Sequence, residues 1–554
     1  MKKLRYILLG LGALTLTSCS DFLSILPMSD VVLENYWTEK KDVQSVINNC
    51  YASLEQSDCL TRMAVWGELR SDNIYYQSST PAELRSILQE NMLETNSYCK
   101  WDALYRTINY CNTVIHYAPQ VEAKDPNYTE DETRANLAEA TAIRALCYFY
   151  LIRTFRDVPY VTEPSVNDNA IYQVPATKFD DILQQLINSL ETVKNDAVKR
   201  YYTDDNNMAY YNSSKITRYT IYTLLADMYL WKGDYAKCSE YCDLVLDYKK
   251  QQYEEKKSRG ESVADLFLFK NKYPLLLEGD GTTTSGSSYN RIFGSRDDGH
   301  SFESIFELDF AHNNNVYNGF IPDFYETSNA SGNLSVPDFL TVDIVDGKNI
   351  LFSKTDCRYL ENIDAAKSAI TKYCPSVTID NKKMTATKSL NEKDNNTCGW
   401  ILYRMTDVML MKAEAEIMQG ASHYDTAFEL IDAVYRRANN QTTDNATGAL
   451  SIGNYNKGQA TMEDLLFQER QRELMYEGKR WFDLVRMVRR DGNTQRAATL
   501  ITRKFKDNVN TVKIKLADPN IFYYPYAESE LKVNPYLIQN TAYNKGDDNE
   551  LTNK

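Results

Sequence analysis

The sequence is poor in the usual side chains of catalysis and metal binding. Only four histidines occur in 554 residues, and His116, His300, His312 and His423 lie far apart. None of the cysteines beyond Cys19 forms a C-x-x-C pair or a zinc-finger spacing, which removes the common metal and redox motifs. Cys238 and Cys242 share one helical face, where packing is the commoner use of a free thiol. Basic residues are also short, with 62 Lys and Arg against 76 Asp and Glu and a net charge of -14. That balance argues against nucleic acid or anionic lipid as the main partner, since both need a basic footprint. No apolar run after the N-terminus is long enough to span a bilayer. A nucleophile elbow, P-loop, zinc-protease helix and dinucleotide fingerprint are all missing, so no cofactor is expected.

What is present begins at the N-terminus. Lys2, Lys3 and Arg5 precede an apolar stretch from Ile7 to Leu16, and Leu16-Thr17-Ser18-Cys19 closes it. A run that short, followed by small residues, reads as a secretory signal over 1–18. A cysteine at the cleavage point can take a diacylglyceryl group, so Cys19 is the expected lipidated start of the mature chain. Residues 19–37 read as a tether, with Thr38 as the expected cap of the first helix.

Helical periodicity dominates the body. Val43, Val46, Ile47, Cys50, Tyr51 and Leu54 fall on one face, and a second helix around Trp101 to Ile115 is expected to stop at Pro119. The stretch from Leu137 to Phe155 is apolar on all sides toward its end, as in a central buried helix. Ala226, Tyr229, Gly233, Cys238, Cys242 and Val245 follow tetratricopeptide spacing, and Ala413, Gly420, Ala427, Ile431 and Val434 form a second copy. One such pair cannot bury its own apolar face, so further pairs are expected over 39–118 and 133–195. The fold class is therefore all-α, a helical-repeat scaffold of about four helix pairs. Residues 38–250 form its N-terminal part with a loop insertion at 57–98. A loop-rich region with a few short strands, such as Ile305 to Leu308, follows at 251–400, and a C-terminal helical region at 401–554.

Two constellations invite a functional reading. Glu469, Arg470, Arg472, Glu473, Glu477, Arg480, Asp483 and Arg486 mix acids and bases at three- to four-residue spacing. Paired carboxylates could serve a glycosidase, but arginine neighbours keep acids ionised, so pairing along a helix face is the expectation. Arg404 with Asp407, and Glu414 with Lys412, read the same way. The loop aromatics differ. Trp66, Tyr75 and Tyr76 surround Asp72 and Asn73; Tyr289, Asn290 and Arg291 follow a Ser/Thr-rich loop; Asn313 and Asn315 precede Tyr317. Flat rings beside amides and carboxylates suit sugars, whose C–H faces stack and whose hydroxyls bond. The ligand surface is expected where the 72–76 segment meets the 289–317 segment.

These residues resemble the SusD/RagB family of outer-membrane lipoproteins of Bacteroidota. The resemblance rests on Cys19-Ser20-Asp21-Phe22-Leu23, on Trp101 to Asn112, on Glu139-Ala140 through Asp157-Val158-Pro159 and on Tyr403 to Ala415. Its most specific block is Glu469-Arg470, Glu473-Leu474, Glu477-Gly478 and Arg480 to Arg486, followed by Pro525, Asn534-Pro535 and Gln539-Asn540. The resemblance implies a non-catalytic surface lipoprotein that captures oligosaccharides or polysaccharides. It also implies delivery to a SusC-like TonB-dependent barrel, with membrane contact through the lipid only. A peptide-binding role, as in RagB-like members, is the alternative it leaves open.

Overall fold

The computed structural model describes residues 36–165, 173–201, 209–277, 291–293, 301–312, 316–342, 349–380, 383, 385–441 and 448–543. Cys19, Tyr289, Asn290, Asn313 and Asn315 lie outside the described residues, as do the signal and most of the tether. Helix α1 (Lys40–Glu55) buries the predicted face from Val43 to Leu54. It is capped by Glu39, one residue later than expected, because Asp42 turns back to the Glu39 backbone and also takes the Thr38 N–H and hydroxyl.

The segment read as a loop insertion contains two helices. One of them, α2 (Ser57–Glu68), buries Cys59, Leu60, Met63, Ala64, Val65 and Trp66. The other spans Ala82–Leu88. Their apolar positions were hidden among turn-like residues, and packing, not local propensity, makes them helical. Helix α3 (Asp102–Glu122) runs through Pro119 instead of stopping there. Pro119 forfeits the bond to the Ile115 carbonyl, and buried Ala118 and Val121 hold the last turn in place despite that loss.

Helix α4 (Glu130–Phe155) is the central helix, started by a Thr129–Glu132 capping box and buried along most of its length. It packs between α3 and α5 (Phe179–Val193). Helices α6 (Arg218–Lys232) and α7 (Tyr235–Ser258) form the next pair, and α8 (Met405–Met418) with α9 (Tyr424–Ala438) the one after. The sharp α6–α7 turn needs a left-handed residue, and Gly233 supplies it at φ 82°. Helix α7 lies on α8, so the pairs α1/α3, α4/α5, α6/α7 and α8/α9 form a continuous stack. Cys238 and Cys242 are buried between its helices, as the packing reading expected. Helices α10 (Gln459–Leu474), α11 (Arg480–Asp491) and α12 (Gln495–Thr502) finish the scaffold.

Among the described residues, strands occur only in two-stranded antiparallel pairs. Strand β1 (Tyr75–Tyr76) pairs with β3 (Leu334–Ser335), while β2 (Ser304–Leu308), the predicted short strand, pairs with β4 (Trp400–Arg404). One hydrophobic cluster runs from Trp37 to Leu537 and joins helices to strands. No described helix is long and apolar enough to cross a membrane.

Candidate functional site

The acidic and basic block does not form a solvated helix face. Glu473 accepts from Arg358, Arg404 and Arg437, and Glu477 accepts from Arg404 and Lys372, all fully buried. Arg470 forks onto Asp483 at 2.9 Å, and Arg486 reaches Glu414 at 2.6 Å. The expected local pairs of Arg404 with Asp407 and of Glu414 with Lys412 are replaced by partners on other elements. Asp407 meets Arg470 and Lys479, and Lys412 meets Asp243. Burial pushes the Glu473 carboxyl up, but the three guanidiniums more than reverse this and hold it well below its ordinary value. Asp483 is likewise pulled down to about 2, mainly by Arg470 and Arg486 against the effect of burial. These acids lock the repeats to the C-terminal helices and stay ionised.

Three residues proposed for ligand contact belong to the same core. Trp66 is fully buried, donates Nε1–H to the Tyr98 carbonyl at 2.7 Å and meets Phe155 edge-on. Asp72, also inaccessible, takes the Arg480 guanidinium at 2.8 and 3.1 Å, and Gln471 bridges it to Asn73. Asn73 in turn donates to Glu68 at 2.8 Å. Trp66, Asp72 and Asn73 are thus corrected from ligand contacts to pins. Asp72 and Asn73 dock the segment after α2 on α10 and α11, and Trp66 ties α2 to Tyr98 and to Phe155 of α4.

What they dock is the tyrosine pair. Tyr75 and Tyr76 leave the core half-exposed, with ring centroids 4.4 Å apart and planes tilted by 33°. Register with β3 places Tyr75 opposite Ser335 and Tyr76 opposite Leu334. Phe505 meets Tyr75 edge-on at 6.0 Å, and the Arg85 guanidinium lies 5.8 Å from the Tyr76 ring. Behind the pair, buried Lys504 donates to the carbonyls of Leu69, Arg70 and Ser71, which fixes the approach of the chain. Burial lowers that ammonium to about 8. Burial and a bond to Tyr76 raise the Tyr75 hydroxyl, while that bond and one from Gln89 lower the hydroxyl of Tyr76. The Tyr75 hydroxyl is thus the donor and the Tyr76 hydroxyl the acceptor of a bond internal to the pair.

Gln471 and Arg480, the partners of Asp72, line a cavity of about 520 Å³, walled by Phe339, Ile350, Phe467 and Leu500 and carrying Arg496 and Arg503. Its size falls in the range of small-molecule sites. Ile350 is 61% exposed at its edge. The Lys506–Asp338 ion pair at 2.7 Å ties the chain after α12 to the segment that supplies Phe339.

Of the segment expected to meet 72–76, residues 289, 290, 294–300 and 313–315 lie outside the described residues. Among the described ones, Tyr75 and Tyr76 pair with Ser335 and Leu334, and Tyr75 meets Phe505. Arg291 instead pairs with Asp265 at 2.9 Å. Tyr317, 41% exposed, precedes Gly319, which lies against Ser57 at the start of α2. Arg85, Phe339, Ile350, Arg503 and Phe505 were not singled out by the sequence. No local pattern marks them, because they come together only across the fold.

Comparison with known proteins agrees with this architecture. The family model described as the SusD family matches residues 358–543, and a second, described as starch-binding associating with outer membrane, matches residues 21–230. A SusD-like protein of Formosa agariphila is 25% identical over 508 residues, covering 87% of this chain and 90% of its own. Another from that organism is 24% identical, with 96% of each chain covered. A SusD homolog of Bacteroides thetaiotaomicron superposes with a TM-score of 0.68 at 16% identity, covering 92% of this chain and 98% of its own. A SusD superfamily protein of Bacteroides vulgatus gives 0.64 at 17%, covering 92% and 100%. Two family models matching separate stretches, full-length relatives and a shared helical fold lead to one conclusion: the chain belongs to the SusD/RagB family.

Proposed function

We propose that this chain is a surface lipoprotein that captures glycans at the outer membrane and passes them to a SusC-like TonB-dependent barrel. The observation that carries the reading is the match of residues 21–230 to a family described as starch-binding associating with outer membrane. The Tyr75–Tyr76 face supports it, because paired half-exposed rings offer stacking, and their hydroxyl lone pairs and the Tyr76 O–H offer hydrogen bonds to a sugar. The region 251–400 contributes Leu334 and Ser335 beside that face, as a ligand-selecting segment would. A non-catalytic role fits the conspicuous carboxylates, which are buried against arginines and poor at giving up or taking a proton.

The purified mature chain should be applied to a glycan array and to a peptide library. Binding to one class of oligosaccharide is expected, while selective binding to peptides would replace this reading with peptide capture. Pull-down from native membranes should recover a large barrel; recovery of none would remove the delivery step.

A further inference from the structure

A second concavity lies far along the chain from the tyrosine face. It has a volume of about 210 Å³, between α6, α7 and the start of β2, and shares no lining residue with the cavity that Gln471 and Arg480 line. Tyr219 and Tyr248 stack ring on ring in its wall, 3.5 Å apart at 7°. Arg200 sits 5.8 Å from the Tyr248 ring and pairs with Glu255 at 3.1 Å.

The charge around this pocket differs from that of the acidic molecule as a whole. Lys256 and Arg259 share the single carboxylate of Glu261, at 2.9 and 2.7 Å. Lys249 is 6% exposed, and its ammonium donates to the carbonyls of Phe302 and Ser304 at 2.7 and 2.8 Å. An ammonium has three donors, and both of these acceptors are neutral. The charged groups that act on Lys249 are Glu303, Arg200 and Glu307. Glu303 is engaged by Arg437 at 2.8 Å, and Glu307 accepts from Ser304 at 2.5 Å. Gln252 donates Nε2–H to the Tyr248 hydroxyl at 3.1 Å, while its Oε1 has no hydrogen-bond partner among the described residues.

Packing alone accounts for the stacked rings and the Arg200–Glu255 pair. It does not account for a nearly buried ammonium on neutral acceptors and an unmatched amide oxygen in one opening, which are costly unless something completes them. At the mouth, the half-exposed Lys256 and the exposed Arg259 outnumber the one carboxylate they share and leave surplus positive charge. We propose that this pocket is a second ligand site, which takes a saccharide residue bearing a carboxylate. The carboxylate completes the cations, and sugar hydroxyls complete the amide and the tyrosine edges. The anion follows from the pocket; its being carried on a saccharide rests on the glycan-capture reading above.

The test is calorimetric titration of the whole mature chain with trigalacturonate, and with its fully methyl-esterified form as the uncharged control. The acid should bind about tenfold or more tightly than the ester, because the charge is what the site reads. Lys256→Gln combined with Arg259→Gln should weaken it about fivefold or more; these are surface ion pairs whose removal spares folding. Tyr248→Ala should weaken it too, and Tyr75→Ala should not. Burial lowers the Lys249 ammonium to about 7. A bound carboxylate favours the protonated form, so affinity should rise as pH falls from 8 to 6. Equal binding of acid and ester, no binding of either, unaffected pocket variants or loss with Tyr75→Ala would each overturn the proposal. Should neutral glycans fail to bind at the tyrosine face while acid binding is lost in the pocket variants, the first site falls and this one stands.

Discussion

Single residues show how burial decides between two uses of the same chemistry. Asp72 and Asn73 beside Tyr75 and Tyr76 have the composition of a sugar site, yet two of the four are pins and two are half-exposed. The sequence could not separate them, because the Asp72 partner is Arg480, 408 positions away. Burial raises the Asp72 carboxyl, and Arg480 more than reverses this, leaving it below its ordinary value. Asp72→Ala strands a buried guanidinium, and about 3–5 kcal/mol of stability should be lost. A denaturant titration that finds wild-type stability would contradict that role. For carboxylates held down in the fold, as Asp72 and Glu473 are, the stabilisation is present above their unfolded values. It is lost as pH falls below about 4. Thermal melts should therefore drop steeply on the acid side of about pH 4, and less steeply in Asp72→Ala.

Elements were legible wherever their apolar residues kept a helical period. The α1 face, the burial of α4 and the Gly233 turn between α6 and α7 all follow from spacing alone. Helix α2 was not, since Ser57, Asp58 and Gly67 imitate a loop and its burial depends on packing against α11, far along the chain. The α2 docking has a tight point. A Cβ on Gly67 would come within 1.8 Å of the Gly478 carbonyl oxygen, a backbone atom with little freedom to move. Gly67→Ala should cost about 1–3 kcal/mol or more through overpacking, although alanine is the better helix former. A melting temperature at or above wild type would show that α2 is not clamped there. Because α2 carries the chain into Tyr75 and Tyr76, the same variant should weaken ligand binding.

At the scale of the whole molecule, the family and the helical-repeat stack were legible in ordered motifs, while of the proposed site only Tyr75 and Tyr76 were. Its parts come from residues 75–85, 334–350 and 496–505, which only the folded chain brings together. The proposed anchor is a whole-molecule property as well. No described helix is able to cross a membrane, and in the proposed lipoprotein reading retention rests on lipid at Cys19. Cys19→Ala should leave the envelope fraction of cells lacking the barrel partner, since stable anchoring needs more than one acyl chain; wild-type retention would contradict the lipoprotein reading. The central claim is that glycans are held on the Tyr75–Tyr76 face. It is tested most directly by calorimetric titration of wild type and Tyr75→Ala/Tyr76→Ala with a neutral oligosaccharide selected on the array. Each stacked ring should contribute about 1–2 kcal/mol, so the folded double variant should bind at least about tenfold more weakly. Equal affinity in a double variant that melts like wild type would contradict the account.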